Sequence, residues 1–170
     1  VKDWSWKTTA IASGFFSTVS GGLYNTASNN YSTVGGGVFN NALGNRSTVG
    51  GGLFNTASNN YSTVSGGRGN ASSAYNSTIS GGGYNTASAY YAVVDGGRLN
   101  TASGRYSVIS GGSFNCASSC FSSIGGGCSN TASCNYAVVG GGTQNRASGF
   151  LSTIGGGISN IASGYYSAIS

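Results

Sequence analysis

The sequence predicts an all-β fold, a β-solenoid (β-roll) of about eleven 15-residue coils with two short strands per coil. Three observations predict it. Gly-Gly recurs at residues 21, 36, 51, 66, 81, 96, 111, 126, 141 and 156, a step of fifteen with no insertion or deletion. Small and aliphatic residues alternate with period two inside each step, which excludes a helix. The chain is uncharged for its size but not featureless: 5% of its 170 residues are charged, 32 are Gly and none is Pro, yet it holds eleven Tyr and seven Phe. A flexible Gly/Ser linker has no reason to keep an aliphatic residue in every fifteenth place.

Counting each coil from its Gly-Gly as positions 1 and 2 justifies the elements in order. Gly-Gly marks a tight turn, where only glycine tolerates the backbone or its close approach to a neighbour. Position 5 is Asn25, Asn40, Asn55, Asn70, Asn85, Asn100, Asn115, Asn130, Asn145 and Asn160. Stacked at the spacing of sheet strands, these side chains predict an inward ladder, each amide donating to one neighbour and accepting from the other. Position 7 is Ala except at Ser72, and with the Asn it belongs to a first strand over positions 5–8. Position 9 exchanges Gly (Gly14, Gly44, Gly104) with Asn (Asn29, Asn59), which predicts a left-handed backbone there. Position 12 is Ser or Ala, and position 14 is Val or Ile in every copy from Val19 to Ile169, so positions 11–15 form a second strand with small and aliphatic residues inward. A partial copy, TTAIASGFFSTVS, precedes the first Gly-Gly. Residues 8–170 therefore form one repeat domain about 50 Å long, and VKDWSWK (1–7), with both Trp, is expected to cap or dock the first coil. Because Val1 is not Met, a processed chain or a fragment is expected.

The string A-S-G-x-Y-S-T-V-x-G-G-x-x-N resembles the head repeat of trimeric autotransporter adhesins, the YadA-like family, whose form is A-x-G-x-x-S-x-A-x-G-x-x-A. Here it runs through Ala102, Gly104, Ser107, Ile109 and Gly112. The chain departs from it by one extra residue beside Gly-Gly, by Val or Ile for the second Ala and by Asn for the last. The resemblance covers about Thr8 to Ser170, and related repeats are shared by phage and viral fibre proteins. It implies a left-handed roll, often trimeric, that serves as an extended surface adhesin.

The inventory points away from an enzyme. There is no His, and the carboxylates are Asp3 and Asp95 alone, so acid–base pairs and activated nucleophiles lack members. No cofactor and no metal is expected: the spacing of Cys116, Cys120, Cys128 and Cys134 matches no zinc pattern. Disulfides are the expectation instead, with Cys120 at position 10 facing Cys134 at position 9 of the next coil, and Cys116 paired with Cys128 by elimination. The net charge of +5 comes from scattered cations rather than a stripe, so nucleic acid is not an expected partner. No apolar run is long enough for membrane insertion as a helix. Sequons at Asn30, Asn45, Asn60 and Asn76 are candidates for glycosylation, whereas the sequon at Asn70 falls in the inward ladder.

Two aromatic columns remain, too bulky for so slim an interior. Position 11 holds Phe16, Tyr31, Tyr61, Tyr91, Tyr106, Phe121, Tyr136 and Tyr166, and position 4 holds Tyr24, Phe39, Phe54, Tyr84 and Phe114. They are expected outside, stacking between coils and meeting other subunits. The function this predicts is a structural extracellular fibre or surface-adhesin stalk on a cell or virion, its partner being itself as a filament or trimer. Two alternatives stand beside it. Thr26, Thr56, Thr86, Thr101 and Thr131 at position 6, with Ser at position 8, form a hydroxyl array of the kind an ice-binding solenoid needs, interrupted by Asn41, Ala71, Cys116, Arg146 and Ile161. The aromatic columns would alternatively bind surface glycans.

Overall fold

The computed structural model describes residues 9–170, and the expected N-terminal cap at 1–7 lies outside them. The chain winds into eleven coils that build two 11-stranded parallel sheets. Sheet A stacks the first strand of every coil, from Ile11–Ala12 to Ile161–Ala162, and sheet B the second, from Thr18–Val19 to Ala168–Ile169. Each strand is two residues long, positions 6–7 and 13–14, shorter than the sequence suggests. Register never slips: Thr26 pairs Asn41, Ala27 pairs Ala42, Thr33 pairs Thr48 and Val34 pairs Val49. A third ladder of single bridges runs at position 3, from Leu23↔Val38 to Thr143↔Ile158.

The interior is as narrow as the small residues imply. From Ala27 to Ala147 position 7 faces position 14, from Val34 to Ile154, with no exposed surface, so the core is essentially one Ala and one Val or Ile per coil. Buried polar side chains fill the remainder, and among the described residues all but the Ser107 hydroxyl are bonded. The other position-12 hydroxyls donate to the position-9 carbonyl of the same coil, as Ser32 Oγ does to Asn29 O at 2.6 Å and Ser47 Oγ to Gly44 O at 2.8 Å. Ser72, the one departure from Ala at position 7, has its own partner in Ser77, at 2.8 Å to the carbonyl and 2.7 Å to the hydroxyl.

Each coil is two similar half-turns, which the sequence conceals. At positions 4 and 11 the backbone is left-handed, and the N–H donates back to the preceding coil: Tyr84 N to Arg68 O, 2.8 Å, and Tyr91 N to Tyr75 O, 3.1 Å. In the strand that follows, donation runs forward, as from Thr86 N to Asn100 O at 2.8 Å and Val93 N to Ser107 O at 2.9 Å. The reversal strands the N–H at position 5, which has no backbone acceptor. The asparagine of the preceding coil supplies one. Asn25 Oδ1 accepts from Asn40 N at 2.9 Å, and the bond repeats along the column to Asn160 N. The ladder is thus buried and continuous, but its bonds are not amide to amide as expected. Each Nδ2 bridges instead to glycine carbonyls, Asn85 Nδ2 to Gly81 O and Gly97 O at 3.0 Å each.

The left-handed positions also correct the reading of the turns. Position 9 is not among the positive-φ residues; positions 4 and 11 are, with φ of 53–60° at twenty non-glycine residues and 67° at Gly69. Glycine at position 9 answers a close approach: a Cβ on Gly44 would lie 2.0 Å from Asn59 O. The two glycines of the Gly-Gly pair are unequal. The second has φ of 81–96°, and a Cβ on Gly82 would meet Gly97 O at 2.1 Å and Asn85 Nδ2 at 2.8 Å. Around a Cβ on Gly81 there is nothing within 4 Å. Gly82→Ala should therefore destabilise by more than ~3 kcal/mol or prevent folding, while Gly81→Ala stays within about 1 kcal/mol of the parent in thermal or denaturant unfolding. Equal effects of the two substitutions would contradict this geometry.

Candidate interaction surface

No pocket opens among the described residues, and no group of three or more His, Cys, Asp or Glu stands ready for a metal ion there. Among the described residues no helix is long and apolar enough to cross a membrane. What the coil displays is its outer surface, and the corners at positions 4 and 11 dominate it. Holding a non-glycine residue left-handed costs about 1–2 kcal/mol, and aromatic rings are unusual occupants. Here the corner projects each ring outward and the coil spacing brings it onto the next. Tyr91, Tyr106, Phe121 and Tyr136 form one stack with centroids 4.9–5.0 Å apart and planes within 10°. Tyr24, Phe39 and Phe54 form another at 4.9 Å. Each stacked pair returns about 0.5–1.5 kcal/mol, comparable with the strain at its corner.

Arginine extends the columns where rings are missing. Arg46, at position 11, lies between Tyr31 and Tyr61, its Cζ 5.3 and 5.4 Å from their centroids, and bonds the Tyr61 hydroxyl. Arg105 stands over Tyr90 and Tyr106 at 5.9 and 5.2 Å, and Arg68 over Tyr84 at 5.7 Å. The rings remain substantially exposed, 44% for Tyr136 and 45% for Phe121, but through their edges. Their faces are taken by neighbours above and below. A sugar ring binds an aromatic face, so the stacked columns offer such a ligand little purchase.

The other expected site residues fall into place around these corners. Asn30 and Asn60 at position 10 use Oδ1 to cap the preceding coil, accepting from Phe15 N at 3.0 Å and Asn45 N at 3.2 Å. Asn135 does the same for Cys120 N, at 3.2 Å. This makes a second, partial asparagine ladder, missed because only some coils carry the residue. Asn45 shares that corner, and Asn76 sits left-handed in the position-11 column. Asn70 is buried and donates from Nδ2 to Gly66 O and Gly82 O, so a glycan there would replace one of these two donors and has no room in the interior.

The four thiols are free and half-buried. Cys120 and Cys134 share one corner in neighbouring coils, whereas Cys116 lies in sheet A between Thr101 and Thr131 and Cys128 in the position-3 ladder between Ser113 and Thr143. That separates the second expected pair onto different ladders. The hydroxyls of Ser129 and then Ser113 hold the Cys128 thiol below its ordinary range. Position 6 carries its threonines outward with the interruptions the sequence shows. A column not singled out from the sequence, Thr18, Thr33, Thr48, Thr63 and Thr78 at position 13, is unbroken across five coils of sheet B.

No family model and no curated protein matches this chain. The balance of strain and stacking is directly measurable. Phe121→Ala loses contact with Tyr106 and Tyr136 yet keeps a left-handed Cβ, and should cost about 2–3 kcal/mol; Phe121→Gly relieves the strain and should recover about 1 kcal/mol of that. Glycine less stable than alanine in thermal unfolding would remove the argument.

Proposed function

We propose that the chain is a stiff structural segment of an extracellular fibre or surface-adhesin stalk, on a cell or virion, that associates with copies of itself. The observation that carries this is the polarity of the coil-to-coil contact. Every coil offers forward-pointing N–H groups from positions 3, 6, 8, 13 and 15 to carbonyls of the next, and the next returns N–H groups from positions 4, 5 and 11. The two edges of a coil are complementary rather than identical, which is the heterologous kind of contact that generates open filaments. Either face of a coil therefore matches the opposite face of another, whether from this chain or a second copy.

Lateral association is the second part of the proposal. Ring edges along two corners, from Tyr24 to Phe54 and from Tyr91 to Tyr136, are contiguous apolar strips of the sort subunits cover. The resemblance to adhesin head repeats supports a trimer, and glycans on Asn30, Asn45 and Asn60 would line the position-11 corner ahead of the Tyr91–Tyr136 strip. The function needs stiffness and reach and no chemistry.

Electron microscopy and multi-angle light scattering of the 170-residue chain over a range of concentrations test this. Filaments, or a long trimeric rod, are the expected result. A monomer at every concentration, with no axial or lateral contact, would falsify the assembly while leaving the solenoid intact.

A further inference from the structure

We infer that the position-3 ladder carries a binding site for an acidic glycan, formed by Arg68 and Arg98 on either side of a notch at Gly83. This inference is independent of self-assembly. The bridges Arg68↔Gly83 and Gly83↔Arg98 place the two arginines in one straight column, two coil steps apart, about 10 Å at sheet spacing. Elsewhere this column holds Leu23, Val38, Leu53, Ser113, Cys128, Thr143 and Ile158, so the paired cations are confined to this stretch. Gly83 leaves the space between them open: the sole heavy atom near a Cβ there is Arg68 O, at 3.8 Å. Gly66, Gly81 and Gly96 beside the column likewise meet nothing within 4 Å, so a ligand approaches over bare backbone.

Both arginines are exposed, and Arg68 is steadied over the Tyr84 ring, its Cζ 5.7 Å from the centroid. A guanidinium held by its face presents its N–H edge outward, a fork suited to sulfate or carboxylate oxygens. Asp95 is the single carboxylate side chain among the described residues and lies three residues before Arg98, so it weakens the local positive potential without cancelling two cations. The spacing selects the ligand. Two anionic groups about 10 Å apart suit a linear polysaccharide with one charged group per disaccharide, lying along the rod. Single-stranded nucleic acid fits poorly: its bases need open aromatic faces, which the ring stacks occupy.

The test is titration calorimetry of the full chain at fixed ionic strength with three probes: a size-defined κ-carrageenan oligosaccharide (one sulfate per disaccharide), a hyaluronan oligosaccharide (one carboxylate per disaccharide) and a single-stranded oligonucleotide. At least one oligosaccharide should bind more tightly than the oligonucleotide, and comparing the two shows whether sulfate or carboxylate is preferred. Arg68→Gln and Arg98→Gln should each weaken the tighter glycan roughly tenfold. Gly83→Leu should weaken it by a similar factor at unchanged charge, since Leu23 and Leu53 show that position 3 accepts leucine. Tyr84→Leu, which frees Arg68, should weaken it severalfold, with Leu99 as precedent at position 4. Arg105→Gln and Arg146→Gln should leave affinity within about twofold. The site is refuted if neither glycan binds, if the oligonucleotide binds best, if Gly83→Leu has no effect, or if the two control substitutions weaken binding as much as Arg68→Gln.

Discussion

The fold rests on one unpaired backbone group per coil. Because donation runs backward at position 4 and forward at position 6, the N–H between them has no carbonyl to reach. A buried N–H left bare costs about 1–3 kcal/mol, and this one recurs in every coil. Asparagine resolves it with one side chain: Oδ1 closes the orphan N–H above, while Nδ2 ties the Gly-Gly turn of its own coil to that of the next, as at Gly81 and Gly97. Neither Asp, which lacks the donors, nor Gln, which is one methylene longer, meets all three partners in that space.

The remaining columns follow from this closure. Pulling the turn down onto the asparagine brings the second glycine against the carbonyl of the next coil, 2.1 Å from where a Cβ on Gly82 would stand. A coil closed so tightly has room inside for Ala and Val or Ile, and everything larger is expelled to the corners. There the left-handed backbone sets rings at the coil spacing, so stacking offsets strain. The surface available to partners is consequently made of ring edges, arginine forks and hydroxyls, arranged in straight columns with the period of the sheet. A stiff rod with periodic polar-aromatic corners suits mechanical and recognition roles.

The columns that face inward were legible in the sequence because burial constrains residue size and repetition displays the constraint ten times over. Ala at position 7, Val or Ile at position 14 and Asn at position 5 are placed as their periodicity implies. The turns were less legible. Gly–Asn exchange at position 9 resembles the usual mark of left-handed backbone, yet Gly44 is there for clearance and Asn59 for its bonds with Asn60 N and Ser73 O, and the left-handed residues are mostly Tyr and Phe, types that rarely signal it. The asparagine partners were misread for a related reason: a stacked amide column suggests amide–amide bonds, and the reversed direction of the backbone ladder has no trace in one coil's letters. The arginine pair was hidden because thirty residues separate Arg68 from Arg98, while the ladder sets them two coils apart.

That the asparagine closes an otherwise orphaned backbone N–H is the central claim, and amide hydrogen exchange reads it at a single residue. Asn100 N donates to Asn85 Oδ1 at 3.0 Å and to no carbonyl. In the parent chain its amide should be protected as strongly as the mid-rod strand amides of Thr78 and Thr86. In Asn85→Ala, under conditions where the strands stay protected, it should exchange at least tenfold faster, together with a stability loss of about 1–3 kcal/mol. Unchanged protection of Asn100 in that variant would contradict the account.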